Sequence, residues 1–95
     1  MEANKALVKL NEKFDISNAS EFDDIIDKIN NQGIERVKLD FSRLKTIDSS
    51  GVGKIMLLKG NLDKRDGKLK IINMKSEYIK EMFNAMKLEN ILEIE

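Results

Sequence analysis

Thr46-Ile47-Asp48-Ser49-Ser50-Gly51-Val52-Gly53 stands between two apolar runs of different period. Ahead of it Val37, Leu39 and Phe41 alternate, as in a strand. Behind it Val52, Ile55, Met56 and Leu62 share one side of a helix. The octapeptide is therefore a strand-to-helix junction carrying two adjacent hydroxyls beside two glycines. Glycine has no Cβ, so another backbone can come close there. The first turn of a helix has unpaired N–H groups and a partial positive charge, a setting that suits phosphate. Asp48 or Ser49 can cap that helix, an interaction of about 1 kcal/mol, and Gly51 and Gly53 would let it pack close to the sheet. Each glycine disfavours a helix by up to about 1 kcal/mol against alanine. Two of them suggest that something approaches.

Working outward, Ala6 to Leu10 reads as a strand, with Val8 and Leu10 two apart. Phe14-Asp15-Ile16-Ser17-Asn18 leads into a helix, with Ser17, Asn18 or Ser20 as candidate caps and Glu21, Asp23 and Asp24 in its opening turns. Phe22, Ile25, Ile26 and Ile29 form its buried stripe, and Gly33 suits a left-handed stop. Glu35 to Phe41 is the second strand, and the helix from about Ser50 to Arg65 ends at the turn dipeptide Asp66-Gly67. Lys68 to Asn73 is the third strand. Ser76 opens a third helix striped by Ile79, Met82, Phe83 and Met86, and Ile91 to Ile94 is a short last strand. The methionines at 56, 74, 82 and 86 read as core filler.

Strands alternating with helices favour right-handed crossovers and a mostly parallel sheet. The expectation is one α/β domain over residues 1–95. Its central sheet has four strands, five if the first residues add an edge, with three to four helices. The alternation within the strands is impure, so one covered face and two are equally compatible with it.

Composition removes whole chemistries. With no cysteine there is no disulfide framework or thiolate nucleophile, and with no histidine there is no Ser-His-Asp triad or His-ligated zinc. No metal or cofactor is expected, and the reading is a binding protein and not an enzyme. Lys+Arg and Asp+Glu both number 17, so no net basic excess draws in nucleic acid, and only five Phe and Tyr are present, with no Trp, for base stacking. No segment approaches the roughly eighteen apolar residues of a membrane span, and Met1-Glu2-Ala3-Asn4 does not open a signal peptide, so a cytoplasmic domain is expected. Gly51-Val52-Gly53-Lys54 superficially suggests a P-loop. That motif would need a glycine at Asp48 and a hydroxyl at Ile55, so it fails.

Ile47-Asp48-Ser49-Ser50-Gly51-Val52-Gly53 resembles the signature of the STAS domain, the family of anti-sigma factor antagonists: apolar-Asp-Ser-Ser/Thr-Gly-Leu/Val-Gly. Val37-Lys38-Leu39-Asp40-Phe41 resembles the family strand before it, Asp66-Gly67-Lys68-Leu69 the glycine turn into the next strand, and Phe14-Asp15 the acidic turn opening the first helix. The chain departs from the family in having Glu12 and Lys87 where glycines are usual. Only Met1–Lys5 are left for the family's first edge strand. An incomplete edge exposes unpaired backbone groups, which leaves room for a homodimer or a partner strand.

The resemblance implies a partner switch. In that family the serine after the aspartate, here Ser49, is phosphorylated by an anti-sigma factor with a GHKL-type serine-kinase fold, and a serine phosphatase resets it. The unphosphorylated antagonist binds the anti-sigma factor and frees a sigma factor; phosphorylation ends the interaction. Asp48, Ser50, Gly51 and Gly53 would shape the site. The partner surface would comprise Asp15, Ser49, Ser50, Val52 and the flank of Lys54 and Lys59. The rival expectation is an unphosphorylated STAS scaffold subunit of a transporter or signalling assembly.

Overall fold

The computed structural model describes residues 4–95, so most of the Met1–Lys5 edge lies outside the described residues. Strands β1 (Lys5–Lys9), β3 (Arg36–Asp40), β5 (Lys68–Ile72) and β6 (Glu93–Ile94) form one sheet in the order β1-β3-β5-β6. Every pairing in it is parallel. Two further strands of two residues each, β2 (Lys13–Phe14) and β4 (Thr46–Ile47), pair in parallel as a separate ribbon. Helices α1 (Phe22–Asn31), α2 (Ser49–Asp63) and α3 (Glu77–Ala85) connect them.

All three helices lie on one face of the sheet. Val37, Leu39, Leu69 and Ile71 point into the core beneath them, while the alternate residues Arg36, Lys38 and Lys68 are exposed. The core is completed by Phe22, Ile26 and Ile29 of α1, by Ile55, Leu58 and Leu62 of α2, and by Ile79 and Phe83 of α3. Phe41, at the end of β3, meets Phe83 edge to face at 5.8 Å, and Phe14 meets Phe22 at 5.1 Å. The α3 stripe is narrower than its spacing suggests, because Met82 is half-buried and Met86 is exposed.

Polar ties fix the loops. Arg65 reaches the Ile34 carbonyl at 2.8 Å, Asn30 Oδ1 at 3.0 Å and the Asn61 carbonyl at 3.1 Å, joining the ends of α1 and α2 to the entry of β3. Ser76 caps α3 by accepting the Ile79 N–H at 3.2 Å, as its position indicates. The caps expected for the first helix are not used. α1 is preceded by a 3-10 turn, Ala19–Glu21, and neither Asn18 nor Glu21 caps with its side chain. Asn18 instead accepts the Asp15 N–H at 2.9 Å and donates to the Lys13 carbonyl at 2.8 Å, and Asp15 accepts the Ser17 N–H. A local turn outcompetes the cap for the same short polar side chains.

Asp40 is only 6% exposed. It accepts the Ser42 N–H at 2.8 Å and the Asn73 amide at 3.2 Å, tying the ends of β3 and β5. The Ser42 backbone bond, reinforced by Asn73, holds the carboxyl below its ordinary value of 3.8. Ser17, through its hydroxyl and its N–H, does the same for Asp15. A depressed folded value means that the unfolded chain binds more protons. The stability these groups contribute is therefore complete above the unfolded value of 3.8 and is lost as pH falls through the lower folded one. Asp40→Asn is expected to flatten the acid limb of thermal stability, followed by circular dichroism from about pH 5 downward.

Lys87 occupies the left-handed region at φ 57°, ψ 32°, a conformation that favours glycine. A Cβ there disfavours the conformation by roughly 1–2 kcal/mol, partly offset by the greater unfolded-state freedom of glycine. Lys87→Gly should therefore raise stability by about 1 kcal/mol in denaturant titration.

Candidate functional site

The ribbon of β2 and β4 delivers the chain to the start of α2. Asp48 takes extended backbone angles and caps the helix: its Oδ1 accepts the N–H groups of Ser50 at 2.9 Å and Gly51 at 3.1 Å. Of the two caps open to the sequence, Asp48 is the one used. Its Oδ2 accepts the Ile16 N–H at 3.1 Å, binding the loop after β2 to the helix N-terminus. The Asp48 N–H in turn donates to the Phe14 carbonyl at 3.4 Å. Both carboxylate oxygens are thus engaged with backbone donors, and Asp48 ties the loop after β2 to the first turn of α2.

Ser49 is the first residue of α2 and is exposed, while Ser50 is half-buried. Gly51 is buried against β2: a Cβ there would collide with the Phe14 carbonyl and lie 2.8 Å from Ile47 Cγ1. Val52 is buried at 7% exposure, so it supports the helix from beneath. Gly53 has nothing within 4 Å of a Cβ and is exposed, which corrects the packing role expected for it. Of these two glycines, Gly51 is the one demanded by close packing.

The outward side of α2 is unusual in a chain that is 36% charged. Ser49, Gly53, Leu57 and Gly60, at i, i+4, i+8 and i+11, form an exposed stripe without charge, with half-buried Met56 beside it. Leu57 is 49% exposed, and Ile16, on the loop that Asp48 holds, is 79% exposed. Lys54 and Lys59 lie to either side of the stripe and are drawn into ion pairs, Lys54 with Asp23 of α1 at 2.7 Å and Lys59 with Asp63 at 2.8 Å. Asp15 is held in its own turn by Ser17 and Asn18, next to Ile16. The sequence reading concentrated on hydroxyls and charges; it missed Ile16 and Leu57. A helix whose apolar residues spread over both faces is the signal that would have found Leu57.

A family profile described as "Mlab, STAS domain" matches residues 1–93. The chain belongs to the STAS domain family. No curated protein sequence matches it. Among solved structures, this STAS domain is similar to a candidate anti-sigma factor antagonist from Thermotoga maritima. The identity is 21% and the TM-score 0.87, over 96% of this chain and 78% of that one. It is also similar to the anti-sigma factor antagonist SpoIIAA in its unphosphorylated form, with 22% identity and a TM-score of 0.72 over 88% and 76% of the two chains. The Bacillus cell fate determinant SpoIIAA in its phosphorylated form gives 21% and 0.74 over 98% and 84%. At such identities these likenesses establish a common fold. Among the described residues no helix is long and apolar enough to cross a membrane.

Proposed function

We propose that this STAS domain is an anti-sigma factor antagonist. It binds a GHKL-type serine kinase that acts as the anti-sigma factor, through the N-terminal half of α2, and releases it when Ser49 is phosphorylated. A serine phosphatase reverses the change, and ATP and its metal belong to the kinase. One observation carries the reading: an exposed serine begins α2 at the foot of an uncharged stripe, beside an aspartate whose oxygens are already committed. A structural neighbour, SpoIIAA, has both a phosphorylated and an unphosphorylated form, which accords with a switch of this kind.

Small residues at exposed helix positions make the stripe informative. Gly53 and Gly60 have open space above them, so neither is required by packing. Alanine at position 53 should raise stability by about 0.5–1 kcal/mol. If the helix surface meets a partner closely, the same methyl group will weaken the complex. Calorimetric titration of the anti-sigma kinase into wild type, Gly53→Ala and Leu57→Glu tests this. The expected result is normal folding in both variants, a few-fold loss of affinity for the first and at least a hundredfold for the second, as befits a buried anchor given a charge. Undiminished binding by Leu57→Glu would contradict the proposal.

A further inference from the structure

The sheet face opposite the helices is bare, whereas parallel sheets are almost always covered on both sides. Register places like charges in rows across it: Lys5, Arg36 and Lys68 in one row, and Lys38 and Lys70 beside exposed Leu7 in the next. Neighbouring strands stand about 4.8 Å apart, so these ammonium and guanidinium groups repel within one Debye length. Lys70 is relieved by Glu93 at 3.2 Å. No ion pair reaches Arg36, Lys38 or Lys68 among the described residues. The whole chain has no net charge, so this is a segregation of cations onto one face and not a general basicity. The rows surround a shallow concavity of about 770 Å³ into which Leu7 and Ile72 contribute apolar surface.

We propose that this face is a second docking surface, and that its occupant is an acidic amphipathic helix of a partner protein. Charge complementarity requires an anion, and the layer missing from the fold is a helical one. Carboxylates three or four residues apart on a helix lie about 5–6 Å from one another, close to the strand spacing. Leucines interspersed among them would cover Leu7 and Ile72. Nucleic acid is a poorer match, because the rows present no aromatic side chain for stacking and include the carboxylate of Glu93. The helices separate this face from the α2 stripe, so both surfaces can be occupied at once.

The test uses the isotopically labelled full chain and a synthetic peptide of about five helical turns, with glutamates on one face and leucines along its edge. Its comparators are a scrambled peptide of the same composition, single-stranded DNA, and vesicles containing phosphatidylglycerol. The amphipathic peptide should shift the amide signals of residues 36–40 and 68–72 while leaving residues 48–53 unmoved. Its affinity should fall more than tenfold in Lys38→Glu/Lys68→Glu, and measurably in the neutral pair Lys38→Gln/Lys68→Gln, which preserves folding if the reversal does not. No shift with the peptide would overturn the proposal. So would equal or stronger shifts with the scrambled peptide, the DNA or the vesicles, or self-association of the chain through the same strands.

Discussion

Gly51→Ala should destabilise the domain by about 3 kcal/mol, the upper part of the range for forcing a group into a packed interior. The reason is the identity of the obstacle. A new Cβ would strike the Phe14 carbonyl, a backbone atom of β2, and crowd Ile47 Cγ1 at 2.8 Å. Neither can swing aside as the end of a long side chain can. Phe14 also accepts the Asp48 N–H and stacks near Phe22, so moving β2 disturbs the cap and the aromatic contact together. For a domain of this size the loss corresponds to a fall of about 12–24 °C in Tm. Thermal denaturation of Gly51→Ala beside Gly53→Ala measures it. The two glycines are two residues apart, yet the first variant should melt lower than wild type and the second higher.

Phosphorylation of Ser49 should lower affinity for the anti-sigma factor by about a hundredfold, or 2.7 kcal/mol, while changing the stability of the free domain by less than 1 kcal/mol. The phosphate adds about −1.5 to −2 charge. The α2 N-terminus offsets that by only about 0.3–1 kcal/mol. Nearby cations give little more: Lys54 is already paired with Asp23, and Lys45 is exposed, 3.9 Å from Glu12. Asp48 sits immediately before the new charge. Lys45 and Lys54 are lysines and not an arginine fork that would clasp the phosphate, so repulsion and bulk act where a partner would dock. Calorimetry on both forms and amide spectra of the free domain check the two halves of the expectation. Shifts spread far beyond residues 45–55 would indicate a rearranged fold instead.

The fold was legible wherever a side-chain period had room to declare itself. β3, β5 and α2 lie within one or two residues of their expected ends, α3 starts directly after its expected cap Ser76, and Gly33 adopts φ 65° as a left-handed stop. By contrast, α1 begins later than a cap at Ser17 or Asn18 would place it, after the Ala19–Glu21 turn. Two-residue strands such as β2 and β4 leave no period to read, so Lys13-Phe14 and Thr46-Ile47 gave no strand signal. Which face of the sheet is open was hidden by Leu7 and Ile72, apolar residues that break the lysine alternation on the exposed side. At the site, Ser49, Ser50 and Asp48 were visible as types of residue in a motif. The difference between Gly51 and Gly53 was not, because it depends on the Phe14 carbonyl, thirty-seven residues away in the chain. Lys87 shows the reverse: a departure from the family pattern visible in sequence coincides with a left-handed backbone.

The most direct measurement is to incubate the domain with the anti-sigma kinase and ATP and to map the product by peptide mass spectrometry. The proposed switch predicts one phosphoryl group, on Ser49, absent from Ser49→Ala although that variant keeps its fold and still binds the kinase. A domain that binds the kinase and never takes phosphate, or takes it at a residue away from the start of α2, would contradict it.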